Sequence, residues 1–304
     1  MTPPHTQLIR ANGIELCYES FGRAGDPAIV LIMGLGMQLI AWPDAFCYAL
    51  AAQGFRVIRF DNRDVGHSSK IHWARRPNMV MSMIAAWLGL PVAAPYRLKD
   101  MAEDTAGLLD TLGIAAAHVV GASMGGMIAQ TLAARYPERV LSLTSIMSST
   151  GNRRVTLGKP AALRALLRRP NNPNDPESLI EHLIHLFGVI GSPGFKTDQD
   201  ELRQRIRLGI SRSHHPAGQY QQLLAILASG DRRREVRTIT APTLVIHGAD
   251  DPLVPVAAGR DTARCIRGAQ LQVIKGMGHD LAPGVQAILL AAIGAHCRQA
   301  GPPG

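Results

Sequence analysis

The sequence predicts an α/β fold, a mainly parallel sheet with helices on both faces, and three observations carry that expectation. Short apolar runs recur along the chain, helix-like stretches separate them, and the run from Ala28 is apolar throughout, as a strand covered on both faces must be. The runs are "AIVLIMG" from Ala28, "FRVIRFD" at 55–61, "AAHVVGAS", "VLSLTSI", "PTLVIHG" and "AQLQVIKG". Helical spacing marks 43–53, 98–112, 126–136 and 256–266. Ahead of them, "QLIRANGIELCYESFG" at 7–22 sets two alternating runs around Asn12-Gly13, the strongest short-range hairpin signal. An antiparallel hairpin therefore precedes the parallel strands.

The alternation stops between Ser148 and Thr238, where Pro, Arg and Leu recur at helical spacing without a buried-strand run. That region reads as a helical insertion. The segment 79–94, "MVMSMIAAWLGLPVAA", is strongly apolar but broken by Gly89 and Pro91 and too short to cross a bilayer. It reads as a greasy lid element or a membrane-surface patch, and packing as core or lid is the preferred reading.

Bulk properties exclude several classes. With 304 residues, 46% apolar content and a mean hydropathy of +0.05, the chain suits one large globular domain. No apolar run reaches the roughly 18–20 residues of a membrane span, and "MTPPHTQLIR" lacks the apolar core of a signal peptide. A cytoplasmic protein without stable membrane insertion is expected. Cys17, Cys47, Cys265 and Cys297 are far apart and unpaired in pattern, which argues against a zinc knuckle or a disulfide scaffold. The net charge of +9 comes in short arginine bursts without interleaved aromatics, so solvated faces are preferred over a nucleic-acid surface.

Chemistry concentrates in "HVVGASMGGMIAQ", 118–130. Ser123 sits between Gly121 and Gly125 at a strand-to-helix junction, where a sharp strained turn tolerates no bulk two residues before or after the serine. Gly126 lets the following helix approach the sheet. The bland alternative is a small residue at a packing turn. A serine hydroxyl is a weak nucleophile, so it needs a base within reach and a third group to orient that base. After "TLVIHG" come Asp250 and Asp251, and after the next strand "GMGHDL" places His279 in a Gly-flanked loop. Ser, Asp and His thus follow in the order expected of this architecture. "IMGLGM", 32–37, directly follows a strand, and its glycines let the backbone turn inward, making Leu35 N–H and Met124 N–H candidate oxyanion donors.

With "IMGLG", "RFDNRDVGHS", "VVGASMGG", "PTLVIHGADDPLVP" and "IKGMGHDL" in that order, the whole chain resembles α/β-hydrolases of the esterase, haloperoxidase-like and aclacinomycin-methylesterase-like branch. The resemblance implies the α/β-hydrolase fold: a mainly parallel eight-stranded sheet with helices on both faces and a helical cap inserted after the sixth strand. On that basis 1–148 and 238–304 form the core and 149–237 the cap. It also selects the acid, which lies three residues after the glycine of "HG" and is therefore Asp251. Pro252, which biases its predecessor toward extended backbone, supports that choice. Met33-Gly34 stands where many members carry His-Gly, which makes the surroundings of the hole more apolar. Asp61 and Arg63 are expected to order loops.

The expected activity is hydrolysis of carboxylic esters through an acyl-enzyme on Ser123, His279 and Asp251, without cofactor or metal. Thioesters, lactones and C–C bonds beside a carbonyl are alternatives on the same residues, and a ligand-binding protein on a hydrolase fold is the rival class. The pairs His182/His185 and His214/His215 lack a matching third ligand type. "GASMGG" lacks the lysine of a phosphate loop. The expected partner is a small-molecule ester with an apolar acyl group, held in an apolar pocket between core and cap, and a homo-oligomer is left open. Met33, Met37, Met124 and Met277 serve either as pocket lining or as core filler.

Overall fold

Asn12 and Gly13 both take positive φ, 48° and 79°, the backbone that closes a two-residue hairpin with the right twist. They join β1 (Gln7–Ala11) to β2 (Ile14–Phe21) in antiparallel register from Gln7↔Tyr18 to Ala11↔Ile14. The computed structural model describes residues 5–301; the first residues of the stretch read for a leader, and all but Gly301 of the terminal Gly-Pro-Pro-Gly, lie outside them.

Six further strands follow: β3 (Ala28–Ile32), β4 (Arg56–Phe60), β5 (Ala117–Ala122), β6 (Val140–Ile146), β7 (Thr243–Gly248) and β8 (Gln270–Ile274). The sheet order is β1-β2-β4-β3-β5-β6-β7-β8, parallel from β4 to β8. Alternate residues of one strand feed opposite layers: Val30 and Ile32 of β3 join one apolar cluster with Leu98, Met101 and Ile128, and Ile29 and Leu31 join another with Phe46, Leu50 and Leu289. Because both layers are covered, the strand reads apolar at every position. The edge strand β8 departs from that reading. It has one neighbour and only Ile274 is buried, so its polar residues meet water.

The covering helices are α1 (Asp44–Ala51), α2 (Met79–Leu88), α3 (Leu98–Thr111) and α4 (Met124–Arg135) before β6. Between β6 and β7 the chain forms helices only: α5 (Pro160–Leu167), α6 (Pro176–Ile190), α7 (Gln199–Arg212), α8 (Pro216–Ser229) and the short α9 (Arg233–Val236). Pro or Asp starts each of α5 to α8, as at α6, where Asp175 caps the backbone of Glu177 and Ser178 and Pro176 takes the first position. The far end of this region joins the main core, since Ala225, Val236 and Ile239 pack into the α3/α4 layer. α10 (Val256–Cys265) and α11 (Pro283–Ala300) complete the fold.

Two elements differ from their sequence reading. α4 starts at Met124, two residues earlier than the helical spacing indicates, because the turn at Ser123 is complete in a single residue. In α2 the expected burial as core or lid fails: Ser82 is buried while Val80, Met81, Ile84, Trp87 and Leu88 face solvent. Apolar spacing identifies such a helix but carries no information on which face finds a neighbour.

Candidate active site

Strand β5 ends at Ala122 and α4 begins at Met124, so the chain reverses on Ser123 alone, at φ 54° and ψ −119°. A side chain held there costs about 1–3 kcal/mol. Hydrogen bonds hold the turn: Ser123 N donates to Ile146 O at 2.9 Å and Ser148 Oγ to Ser123 O at 2.8 Å. A Cβ on Gly121 would lie 2.2 Å from the Gly125 carbonyl oxygen, and one on Gly125 would lie 2.1 Å from that of Ile32. Both contacts are with backbone and cannot yield, so glycine is required at both positions. At Gly126 a Cβ would meet that of Ser148 at 2.6 Å, which measures how closely α4 presses on the segment just after β6. The result is a partly exposed hydroxyl at the head of a buried helix.

Beside it runs the loop after β3. A Cβ built on Gly34 would lie 3.1 Å from Ser123 Cβ and 3.6 Å from its Oγ, so this loop abuts the hydroxyl. Asn62 Nδ2 donates to Met33 O at 2.9 Å, and Gly36 N donates to Gln222 Oε1 of α8 at 2.8 Å. The loop is thus anchored on either side of Leu35. Among the described residues, neither Leu35 N–H nor Met124 N–H donates to a protein acceptor. Met124 N–H also carries the positive end of the α4 dipole, where negative charge is favoured.

The loops after β7 and β8 supply the other two groups. His279 Nε2 lies 2.9 Å from Ser123 Oγ, and His279 Nδ1 lies 2.7 Å from Asp251 Oδ2. Asp251 is fixed through its other oxygen, which accepts from Leu253 N at 2.9 Å and Val254 N at 2.8 Å. Asp250 turns away: its Oδ2 accepts from Gly276 N at 2.8 Å, and its side chain is exposed. Behind the carboxylate lies His247, 3.6 Å from Asp251 Oδ2, with Nε2 2.8 Å from Val254 O. Burial holds its pKa below the usual imidazole value, so at neutral pH it stands as an uncharged donor to that carbonyl.

Contacts from the helical region grip this machinery, and sequence reasoning did not find them. His279 N donates to Ile190 O at the end of α6 at 2.7 Å, and Gly278 N donates to Ser192 Oγ at 2.9 Å. Ser192 Oγ in turn donates to Asp280, whose carboxyl burial pushes upward in pKa. On the opposite side Arg212 of α7 pairs with buried Asp61 at 2.7 Å and donates to Gln38 Oε1 at 2.7 Å, while Gln38 Nε2 donates to Gly209 O and Ser213 O. Asp61 also accepts from Leu39 N and His67 N, and Arg63 pairs with Asp104 at 2.5 Å. Only the tight glycines beside these positions hinted at close contact; no local spacing marks Ser192, Gln222 or Arg212.

Met33, Met124 and Met277 are buried in the two core layers, and Met37 packs against one of them. Among the described residues no group of three or more His, Cys, Asp or Glu side chains converges as a metal site would require.

A single-residue turn bearing serine, the two strand-end loops that meet it and the eight-stranded sheet define a class, and the chain belongs to the α/β-hydrolase fold family, matched over residues 27–282. Over nearly its full length it is similar to the rhodomycin D methylesterase of Streptomyces sp. strain C5, at 31% identity covering 97% of this chain and 99% of that protein. The rhodomycin D methylesterase of Streptomyces peucetius is 30% identical, with the same coverage of both chains. Among solved structures it is similar to the enol-lactonase from Burkholderia xenovorans LB400, with a TM-score of 0.70, 25% identity and coverage of 96% of this chain and 100% of that one.

Proposed function

We propose that the protein is a serine hydrolase of carboxylic esters, with Ser123 as nucleophile, His279 as base and Asp251 as the group that orients it. The observation that carries the reading is the unbroken chain from hydroxyl to imidazole to carboxylate, 2.9 Å and then 2.7 Å, on a serine raised at the head of α4. Ser123 Oγ attacks the ester carbonyl as His279 Nε2 takes its proton. Leu35 N–H and Met124 N–H bind the oxygen that becomes negative in the tetrahedral intermediate. His279 returns the proton to the leaving alcohol, then draws one from water as it attacks the acyl-enzyme, and gives that proton to Ser123 Oγ as the serine–acyl bond breaks and the carboxylic acid leaves. No step calls for a metal or a redox cofactor.

The segment 149–237 serves in this reading as a cap on a core formed by 1–148 and 238–304, supported by the grip of Ile190, Ser192 and Arg212 on the site loops. A small-molecule ester with an apolar acyl part is the proposed substrate class, and methyl esters lead the test because two relatives are named methylesterases. A lactone is the second reading, supported by the likeness to an enol-lactonase. A cytoplasmic location fits four free cysteines, and no helix of the described residues is long and apolar enough to cross a membrane.

The test is a panel of methyl esters and lactones offered to the wild type and to Ser123→Ala. The alanine variant is expected to fold and to lose about 10³-fold or more in kcat. Mass spectrometry of the wild type quenched during turnover should find the acyl group on Ser123. Retained turnover in the folded variant, or an acyl adduct elsewhere, refutes the assignment.

A further inference from the structure

Helix α2 carries its apolar side outward. Val80, Met81, Ile84, Trp87 and Leu88 follow the spacing of one helical face, and together with Leu90 they are 46–64% exposed. Single exposed apolar residues are ordinary, whereas a contiguous helical face marks a place where something docks. Charge says what kind of partner fits. From residue 65 to residue 99 the chain has no Asp or Glu, while Arg75, Arg76, Arg97 and Lys99 are exposed. Arg75 and Arg76 lie just ahead of Asn78, the N-cap of α2, and exposed Arg153 donates to the Trp87 carbonyl at its other end. The apolar face therefore has cations at both ends.

We propose that α2 and these arginines dock the protein on an anionic lipid surface, the helix lying in the plane of the interface with Trp87, Leu88 and Leu90 among the acyl chains. Tryptophan and leucine partition into that boundary, and each arginine near it gains from the negative surface potential. A second copy of the chain suits the face less well. A two-fold contact turns the same patch on itself, which sets Arg75 and Arg76 against their own counterparts or against Arg153. Docking also bears on the site. α2 packs on α8, Tyr220 of α8 donates to Pro77 O, and Gln222 of α8 accepts from Gly36 N. One helix thus separates the lipid-facing surface from the loop beside Ser123.

The experiment is flotation of the full chain with phosphatidylcholine vesicles and with mixed phosphatidylcholine–phosphatidylglycerol vesicles. The protein should float with the mixed vesicles, stay behind with the neutral ones, and be released at about 1 M salt, where the screening length falls to roughly 3 Å. Trp87→Ser with Leu88→Ser should lower binding by at least about tenfold, and Arg75→Glu with Arg76→Glu by about tenfold or more. Both pairs are exposed, so thermal unfolding midpoints should match the wild type and serve as the folding control. No flotation with mixed vesicles, or flotation that both variants retain, overturns the proposal. So does a wild type that ignores vesicles but sediments as a dimer that Trp87→Ser with Leu88→Ser dissociates, which would give the face to a second copy.

Discussion

Asp250 and Asp251 are neighbours with the same carboxylate, and their surroundings separate them completely. Asp251 accepts two backbone N–H groups on one oxygen and faces His279 with the other, while Asp250 faces Gly276 N and solvent. Asn at 251 keeps an acceptor for Leu253 and Val254 but presents an amide donor to His279 Nδ1. The imidazole then carries its proton on Nε2, toward Ser123, where it cannot act as base. Asp251→Asn is therefore expected to fold and to lower kcat by about 10⁴-fold, the size of effect known for the wrong tautomer in this role. Asp250→Asn should leave kcat close to wild type. Steady-state kinetics of the two variants check this, and the reverse ranking would refute the orienting role of Asp251. Gly125→Ala probes the turn at the same scale. Its Cβ would run into the Ile32 carbonyl oxygen at 2.1 Å, and overpacking against an immobile group costs about 1–3 kcal/mol or more. Urea unfolding should show a lower midpoint together with lost activity; a wild-type midpoint would mean that β3 and α4 separate more easily than their contact implies.

At the scale of elements, the helical region is tied to the sheet by a few buried polar contacts. Asp61 is fully buried, and Arg212 reaches it from α7 through a side chain that is itself 11% exposed. Removing one partner strands the other, so Arg212→Ala is expected to cost about 3–5 kcal/mol. The loss should appear in α7 first, as faster proteolysis within 199–215 and a raised KM, because Gln38 loses one of its contacts with α7 at the same time. Arg212→Lys should recover part of the stability. Unchanged proteolysis and KM in Arg212→Ala would show that α7 is held without the Arg212–Asp61 pair. The Cys17 thiol beside this pair is pushed up to about 12 by burial, with the charge of Asp61 adding to it. It stays protonated and adds no charge to the cluster.

Across the whole molecule, buried histidines set the response to acid. His118 is held at about 4, chiefly by burial, and His247 and His296 are also held below the ordinary value of 6.5 by burial. In the unfolded chain these rings take up protons near 6.5, while in the folded chain they resist. Their contribution to stability is therefore complete above about pH 6.5 and falls away toward pH 4. Asp280 and Asp104, both raised above 3.8 by burial, act in the opposite sense within that range, since the folded chain takes up their protons before the unfolded chain does as pH falls toward 3.8. Urea midpoints measured from pH 7.5 down to 4 should decline, and His118→Gln should flatten the decline while lowering the neutral-pH midpoint through loss of the contact with Ser142 Oγ. An equal slope in wild type and variant would remove His118 from the account.

The succession of strands and helices along the chain, the strand-to-helix turn and the three loops that meet at Ser123 were legible in the amino-acid sequence because each depends on local chemistry. A reversal on one residue demands glycine on either side, a strand covered on both faces demands an apolar run, and a serine that reacts demands histidine and a carboxylate after later strands. The contacts that grip those loops depend instead on pairs remote along the chain: Gly36 with Gln222 at a separation of 186 residues, Asp61 with Arg212 at 151, and Gly278 with Ser192 at 86. No periodicity or spacing encodes them, since each member is an ordinary polar residue until the fold supplies its partner. The same holds for α2. Its sequence made it apolar and helical, but only tertiary packing decided that Ser82 faces inward and Trp87 faces water, because a helix buries whichever side its neighbours happen to cover.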